Sequence, residues 1–417
     1  MRILKLTSAV ERKLLRARHE RDREAERIAA NIIADVRKRG DAALSAWAKK
    51  LDGVDLDRGS VWVSQREINA ARKQVSSDFL RAIRHAEKNI RRVAEKQLPR
   101  DWSLAVEPGV TISQLVRPID AIGCYIPGGR FALVSTLLMT VVPARVAGVN
   151  RITVVCPKPN AELLAAARLL GITQIARIGG AQAIAALAYG TKSIPGVDKI
   201  FGPGNRFVTA AKQLVGSDCA IDLPAGPTEA IVLAAKGNPK SIAADLLAQA
   251  EHAPDAGSFL VTPSLKLARA VQKEVHLQLT NLPSSNPAHA SMGKTGAVLL
   301  ASSLEAACVF SNRFAPEHLS LPHNPDALLK GVNAAGTVFL GLWGAQPLGD
   351  YISGSNHVLP TGGWARMRGG LSAADFVKCI SVQTIERHGF KRLANDAVRL
   401  AQAEGLLAHA NAVEVRR

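Results

Sequence analysis

Aromatic residues are scarce in this 417-residue chain, at 4% of positions. No run of about 18 apolar residues occurs either, so no membrane-spanning helix is expected. Few aromatics leave few surfaces on which single-stranded bases could stack. Cysteine is sparse as well. Cys124, Cys156, Cys219, Cys308 and Cys379 are scattered, odd in number and include no C-x-x-C pair. That excludes a zinc site built on thiolate knuckles, argues against a disulfide framework and fits a reducing compartment. Cys124 and Cys156 fall in strand-like apolar runs and read as small core residues.

Negative charge is the next shortage. Asp and Glu number 35 against 53 Lys and Arg, for a formal net charge of +18. Such an excess invites a nucleic-acid reading. It is concentrated, however, in roughly the first 100 residues, where basic and acidic side chains alternate at helical spacing, as in Ala86–Lys96. These segments read as solvated amphipathic helices, and no nucleic-acid partner is expected. The N-terminus has no apolar stretch followed by a small-residue cleavage site, and Glu11, Glu20, Asp22, Glu24 and Glu26 are foreign to a transit peptide. The expected location is cytoplasmic. Hydrophobic content of 47% with 21% charged residues is that of a globular protein with a sizeable core.

Beyond the helical first hundred residues, broken near Gly53 and by a short strand candidate at Val61–Val63, the pattern alternates. Ala121–Ile126 reads as a strand stopped by Pro127-Gly128-Gly129, and Leu133–Ala147 is periodic. Strand Ile152–Val155, helix Ala161–Leu170, strand Ile175–Ile178, helix Ala181–Tyr189 and strand Lys199–Phe201 follow, the last running into Gly202-Pro203-Gly204-Asn205. A second series has strands at Ala230–Ala234, Ser258–Val261, Gly296–Leu300 and Thr337–Leu340, with helices at Ser241–Glu251 and Ser264–Gln278. From about Asp375 the tail reads as helical. Strands alternating with helices imply parallel sheets: an α/β fold of two doubly wound, incomplete Rossmann-like domains with a helical N-terminal segment and a helical C-terminal tail. Open sheets of this kind place ligands at glycine-rich turns after their strands.

Familiar catalytic fingerprints are missing. Gly202-x-Gly204 comes nearest to G-x-G-x-x-G, but position 207 is Phe. There is no P-loop, no G-x-S-x-G and no H-E-x-x-H. What remains lies in the C-terminal half. Gln249 and His252 share a helix face one turn apart, a spacing that can deliver two ligands to one metal and equally suits a helix-end surface histidine. Glu317-His318, in a loop marked by Pro316, can perform two proton transfers, although such neighbours also arise by chance. Leu348-Gly349-Asp350-Tyr351 and Gly354-Ser355-Asn356-His357 form a dense polar, Gly-rich stretch. Glu404 and His409 stand about 140° apart on a continuous helix, unless Gly405 breaks it.

Taken together, these strings resemble the histidinol dehydrogenase family. QAEH (249–252), APEHL (315–319), GDYISGSNHVLPT (349–361), FGPGN (201–205), GGAQAIAALAYGT (179–191), IDLPAGPTE (221–229) and AEGLLAHANAV (403–413) occur in family order from about residue 115 onward. The basic first hundred residues match only loosely. The resemblance implies one Zn²⁺ per subunit held by Gln249, His252, Asp350 and His409, with His409 coming from the partner in a homodimer. It implies Glu317 and His318 as the acid–base pair, and Tyr125, Gln182 and Asn205 as NAD contacts. Thr228, Glu404, His318 and the zinc ligands would hold L-histidinol, which is oxidised in four electrons through the bound aldehyde to L-histidine with two NAD⁺.

The implied division is an arm at 1–20, a metal-bearing domain at 21–124 plus 230–371, an NAD-side domain at 125–229, and a tail at 372–417 reaching the partner. A nitrogen- and oxygen-rich ligand set suits zinc with positions left for substrate. No cysteine nucleophile lies near these blocks, which separates the chemistry from a thiohemiacetal route. Thr228 stands where the family more often has Ser, Ala230 where a larger aliphatic residue is common, and Arg130 occurs in only part of the family. These departures keep open one alternative: a paralogous zinc- and NAD-dependent dehydrogenase of another polar alcohol, such as a sulfonated diol.

Overall fold

The computed structural model describes residues 1–18, 22–56, 60–128, 132–223 and 226–417. Glu20, Gly129, Arg130 and the Pro224-Ala225 step of the IDLPAGPTE string lie outside the described residues.

Two parallel sheets organise the chain. The larger has the spatial order Arg2–Lys5, Ala297–Leu300, Gly257–Thr262, Glu229–Leu233, His318–Leu321, Thr337–Leu340. The smaller runs Ile175–Ala176, Arg151–Val155, Ala121–Tyr125, Lys199–Phe201, Ala220–Ile221. Side chains alternate across a strand, and both faces are apolar. Ile231 and Leu233 pack with Phe310 and Phe314 on one face of the larger sheet. Val232 and Ala234 pack with Leu246 and Val271 on the other. In the smaller sheet Ile122 and Cys124 face Leu137 and Val141, whereas Ala121 and Tyr125 face Ile184 and Val208. Cys124 and Cys156 are both fully buried, as their apolar settings suggested. Each sheet reverses its winding beside a central strand, between Ala121–Tyr125 and Lys199–Phe201 in one and between Glu229–Leu233 and His318–Leu321 in the other.

Four expectations need correcting. Residues Arg2–Lys5, placed by sequence in an arm at 1–20, form an edge strand on Ala297–Leu300. The strand candidate at 61–63 reduces to a single bridge, Trp62 to Ala176. The helices between Arg23 and Gln97, grouped by sequence with 230–371, pack instead around the smaller sheet. Ala25, Ala29, Ile32, Ile33 and Val36 form the buried stripe of Arg23–Arg39, against helices Gly180–Tyr189 and Arg206–Val215. An amphipathic stripe specifies that a helix docks, not which sheet receives it. Finally, the tail is not all helix. Val377–Ile385 pairs antiparallel with Val110–Pro118, which pairs with Trp102–Glu107. The β-branched alternation of VKCISVQTI carries that strand. Helices Arg387–Ala403 and Leu407–Glu414 follow, split at Gly405 with φ +73°. No described helix is long and apolar enough to cross a membrane.

Candidate active site

Thr228, Gln249, Glu317, His318 and Asp350 meet at the amino-terminal edge of the larger sheet, opposite the edge where such sheets usually hold ligands. Helix Leu304–Phe314 ends on Ala315 in the left-handed region (φ 50°, ψ 68°), which turns the chain sharply. Glu317 follows, and His318 opens a strand rather than sitting in a loop. Thr228 immediately precedes the neighbouring strand Glu229–Leu233.

One oxygen of Glu317 is fully engaged. Its Oε2 accepts from the Thr228 hydroxyl and from the Glu229 backbone N–H at 2.9 Å. Gln249 Nε2 donates to Thr228 Oγ1 at 2.5 Å, and Gln346 Nε2 donates to Gln249 Oε1. The series Gln346, Gln249, Thr228, Glu317 therefore points donor to acceptor toward one carboxylate, each bond polarising the next. Glu317 Oε1 makes no hydrogen bond among the described residues.

His318 is buried, stacked on Phe339 with ring centroids 5.9 Å apart. Its Nδ1 is 3.8 Å from Glu317 and its Nε2 3.4 Å from Asp350. Neither ring nitrogen has a hydrogen-bond partner among the described residues, an unusual state for buried polar atoms and one that a bound molecule would relieve. Burial works against the imidazolium, but the Glu317 and Asp350 carboxylates outweigh it and raise the pKa. Asp350 moves the other way: burial resists ionisation, and His318 outweighs that and lowers its pKa. His357 holds the Asp350 backbone, with Nδ1 2.9 Å from its carbonyl oxygen and Nε2 3.2 Å from Thr136 Oγ1. Asn356 Nδ2 donates to the Met139 carbonyl at 2.7 Å, so the 349–361 loop ties the site to the other sheet's helices.

The family model for histidinol dehydrogenase matches residues 15–417. A histidinol dehydrogenase of Geobacillus kaustophilus is 47% identical over 401 residues, covering 94% of each chain. That of Aquifex aeolicus is 46% identical, covering 95% of this chain and 93% of its own. The crystal structure of histidinol dehydrogenase from Elizabethkingia anophelis superposes with a TM-score of 0.93 at 37% identity, covering 100% of this chain and 98% of that one. The chain belongs to the histidinol dehydrogenase family.

The family's remaining candidate positions fall in two other places. Tyr125 ends the central strand of the smaller sheet, and its hydroxyl accepts from the Gly180 N–H at 3.2 Å; burial raises its pKa. Gln182 is buried in the first turn of helix Gly180–Tyr189. Its Nε2 donates to Asp52 Oδ2 at 2.9 Å, while its Oε1 has no partner among the described residues. Asn205 is exposed and caps helix Arg206–Val215, accepting from Phe207 and Val208 N–H at 3.0 and 3.1 Å. These three surround the winding reversal of the smaller sheet, at its carboxyl edge.

His252 is exposed just past the end of helix Pro239–Ala250, in which Gln249 is buried. Glu404 and His409 are exposed on the tail, and the structure does not bring them to the cluster. Among the described residues no three His, Cys, Asp or Glu side chains gather closely enough to hold a metal ion. Sequence reasoning missed Gln346, Asp52, Glu229 and Arg18, all of which touch or support these groups. Only Glu229 lay inside a quoted string, beside Thr228.

Proposed function

We infer that this family member oxidises L-histidinol to L-histidine, with zinc and two NAD⁺, in a cytoplasmic homodimer of two doubly wound domains per chain. The observation that carries the acid–base reading is His318, buried between two carboxylates with both ring nitrogens unpartnered. The donors suit each cofactor. Gln249, His252 and Asp350 offer only oxygen and nitrogen, donors that zinc accepts, and His409 of a partner chain would complete the set. Gln182 Oε1 is a buried acceptor awaiting a donor, as the amide or hydroxyls of a dinucleotide would supply.

When bound, zinc would anchor the imidazole and amine of the substrate, and NAD⁺ would take hydride from its carbinol carbon. His318 accepts the hydroxyl proton as that hydride departs. Thr228 and Gln249, held by each other and by Gln346, orient the amino alcohol, with Glu404 of the partner subunit near its amine. In the second half, Glu317 takes a proton from water through its free Oε1 as the water oxygen adds to the aldehyde carbon. The hydrate anion would then pass a second hydride to the second NAD⁺ as His318 takes its remaining hydroxyl proton, which leaves the carboxylate. Fixing Oε2 by two donors leaves Oε1 as the aimed, basic atom.

The test is product stoichiometry with purified, zinc-loaded protein. Two NADH per L-histidinol, with histidine formed and turnover abolished by a chelator, is the expected result. Bound zinc without histidinol turnover would overturn it in favour of another polar alcohol.

A further inference from the structure

The N-terminal helix Ser8–Ala17 ends at Arg18, whose side chain leaves the basic surface and enters the larger sheet's site edge. Its fork engages both oxygens of Glu229, Nε to Oε2 at 2.7 Å and Nη2 to Oε1. Nη1 donates to the Phe314 carbonyl, and Nη2 reaches the Ala315 carbonyl at 3.4 Å. The guanidinium carbon also lies 3.7 Å from the Phe314 ring centroid. Both ionic side chains are nearly closed off from water, 9% and 7% exposed. Glu229 Oε1 takes a further N–H, from Gly362, at 2.9 Å.

This clamp joins the two pieces of chain that aim Glu317. Phe314 and Ala315 form the turn three and two residues before it, and Ala315 holds a left-handed conformation that non-glycine residues disfavour. Glu229 supplies one donor to Glu317 Oε2 through its backbone, and Thr228, the residue before it, supplies the other. Helix end and strand start are thus fixed to each other by one planar group. A guanidinium can do this because it presents several donors in a rigid fork, whereas a lysine ammonium is a single point on a flexible stem.

We propose that Arg18 is a positioning residue for Glu317, setting the direction of its free oxygen through Glu229 and the Phe314–Ala315 turn. The proposal rests on Glu317 being the base of the second half-reaction. It also gives the N-terminal segment a part in catalysis.

The experiment measures kcat and KM separately for alcohol oxidation and for oxidation of the supplied aldehyde, in R18K, R18M, E317Q and R18K/E317Q. Misaiming a base by a fraction of an ångström to 1 Å should lower the aldehyde kcat of R18K by on the order of 10- to 100-fold. Its alcohol kcat and its KM for NAD⁺ should change much less. Millimolar guanidinium should partly restore R18M, and the double variant should be no slower than E317Q, because both changes act through one group. A purely structural Arg18 would instead lower Tm and reduce both half-reactions in parallel. R18K at wild-type rates while E317Q is impaired, or losses that multiply in the double variant, would overturn the proposal. E317Q with intact aldehyde oxidation would overturn the reading of Glu317 itself. R18K keeps the charge beside Glu229 and carries the test if R18M does not fold.

Discussion

At the scale of single residues, burial has opposite consequences according to what shares the buried space. His318 is enclosed, yet its pKa rises because two carboxylates flank it. Asp245, on the helix that carries Gln249, is also largely removed from water but has no such neighbour. It lines a cleft of about 270 Å³ with Asn238, Ser241, Ser320 and His323, and desolvation alone raises its pKa from 3.8 to about 6. A carboxyl whose folded pKa lies above its unfolded value destabilises the fold while it is ionised. That cost is fully present above pH 6, shrinks as pH falls through 6, and vanishes below about pH 4. Asp245→Asn should therefore stabilise the protein at pH 8, by roughly 2 kcal/mol, and give no advantage at pH 4. Thermal melts of both proteins across this range check it. A Tm difference independent of pH would mean that Asp245 does not titrate in this way.

Among elements, the join between strand ends of the smaller sheet depends on one buried ion pair. Lys212, in helix Arg206–Val215, donates from Nζ to Asp222 Oδ1 and, at 2.8 Å, to the Gly202 carbonyl. Asp222 Oδ2 accepts the Gly202 N–H at 2.7 Å. Gly202 has φ +110°, and a Cβ there would fall 2.2 Å from the Tyr125 carbonyl oxygen, so the FGPGN turn is held where only glycine fits. Lys212→Met should cost about 3–5 kcal/mol, because it leaves Asp222 charged and unpaired in the core. The double change with Asp222→Asn should recover part of that loss in denaturant unfolding. Full destabilisation persisting in the double variant would show that packing around Lys212, not the stranded charge, is responsible. The glycine pattern of this turn was legible in sequence, as were the strands at 121–126, 152–155, 199–201, 230–234 and 258–261, whose apolar runs are buried on both faces, and the partly buried edge strand at 337–340. Strand His318–Leu321 was not, since four residues behind Pro316 carry no period of their own. Strands Trp102–Glu107 and Val377–Ile385 do alternate, but their apolar positions Trp102, Leu104, Val106, Ile380 and Val382 are exposed and face no core of this chain, and neither strand was read from the sequence. In the site, the family strings led to Thr228, Gln249, Glu317, His318 and Asp350. Gln346, which reaches Gln249 across 97 positions, and Arg18, which reaches Glu229 across 211, left no local pattern to read.

For the whole molecule, the tail is the part that a single chain leaves unfinished. The three-stranded sheet exposes Trp102, Leu104, Val106, Ile380 and Val382, and the helices after it expose Leu400, Leu407 and Val415. A lone soluble subunit rarely presents so much apolar surface in one region, whereas a two-fold pair would cover it by self-complementarity. His409 and Glu404 stand on that region, and His252 is exposed at the rim of the cluster. If each tail crosses to its neighbour, one complete zinc site contains His252 of one chain and His409 of the other. His252→Ala and His409→Ala should then each lose bound zinc as homodimers. A hybrid dimer of one His252→Ala chain and one His409→Ala chain has a different composition: one of its sites lacks both ligands, and the other keeps both. Isolated with two affinity tags, the hybrid should bind one zinc per dimer and regain about half the wild-type turnover, a result no within-chain ligand set can give. Zinc-free hybrids would place both histidines in the same subunit's site, and full zinc in either homodimer would remove that histidine from the ligand set.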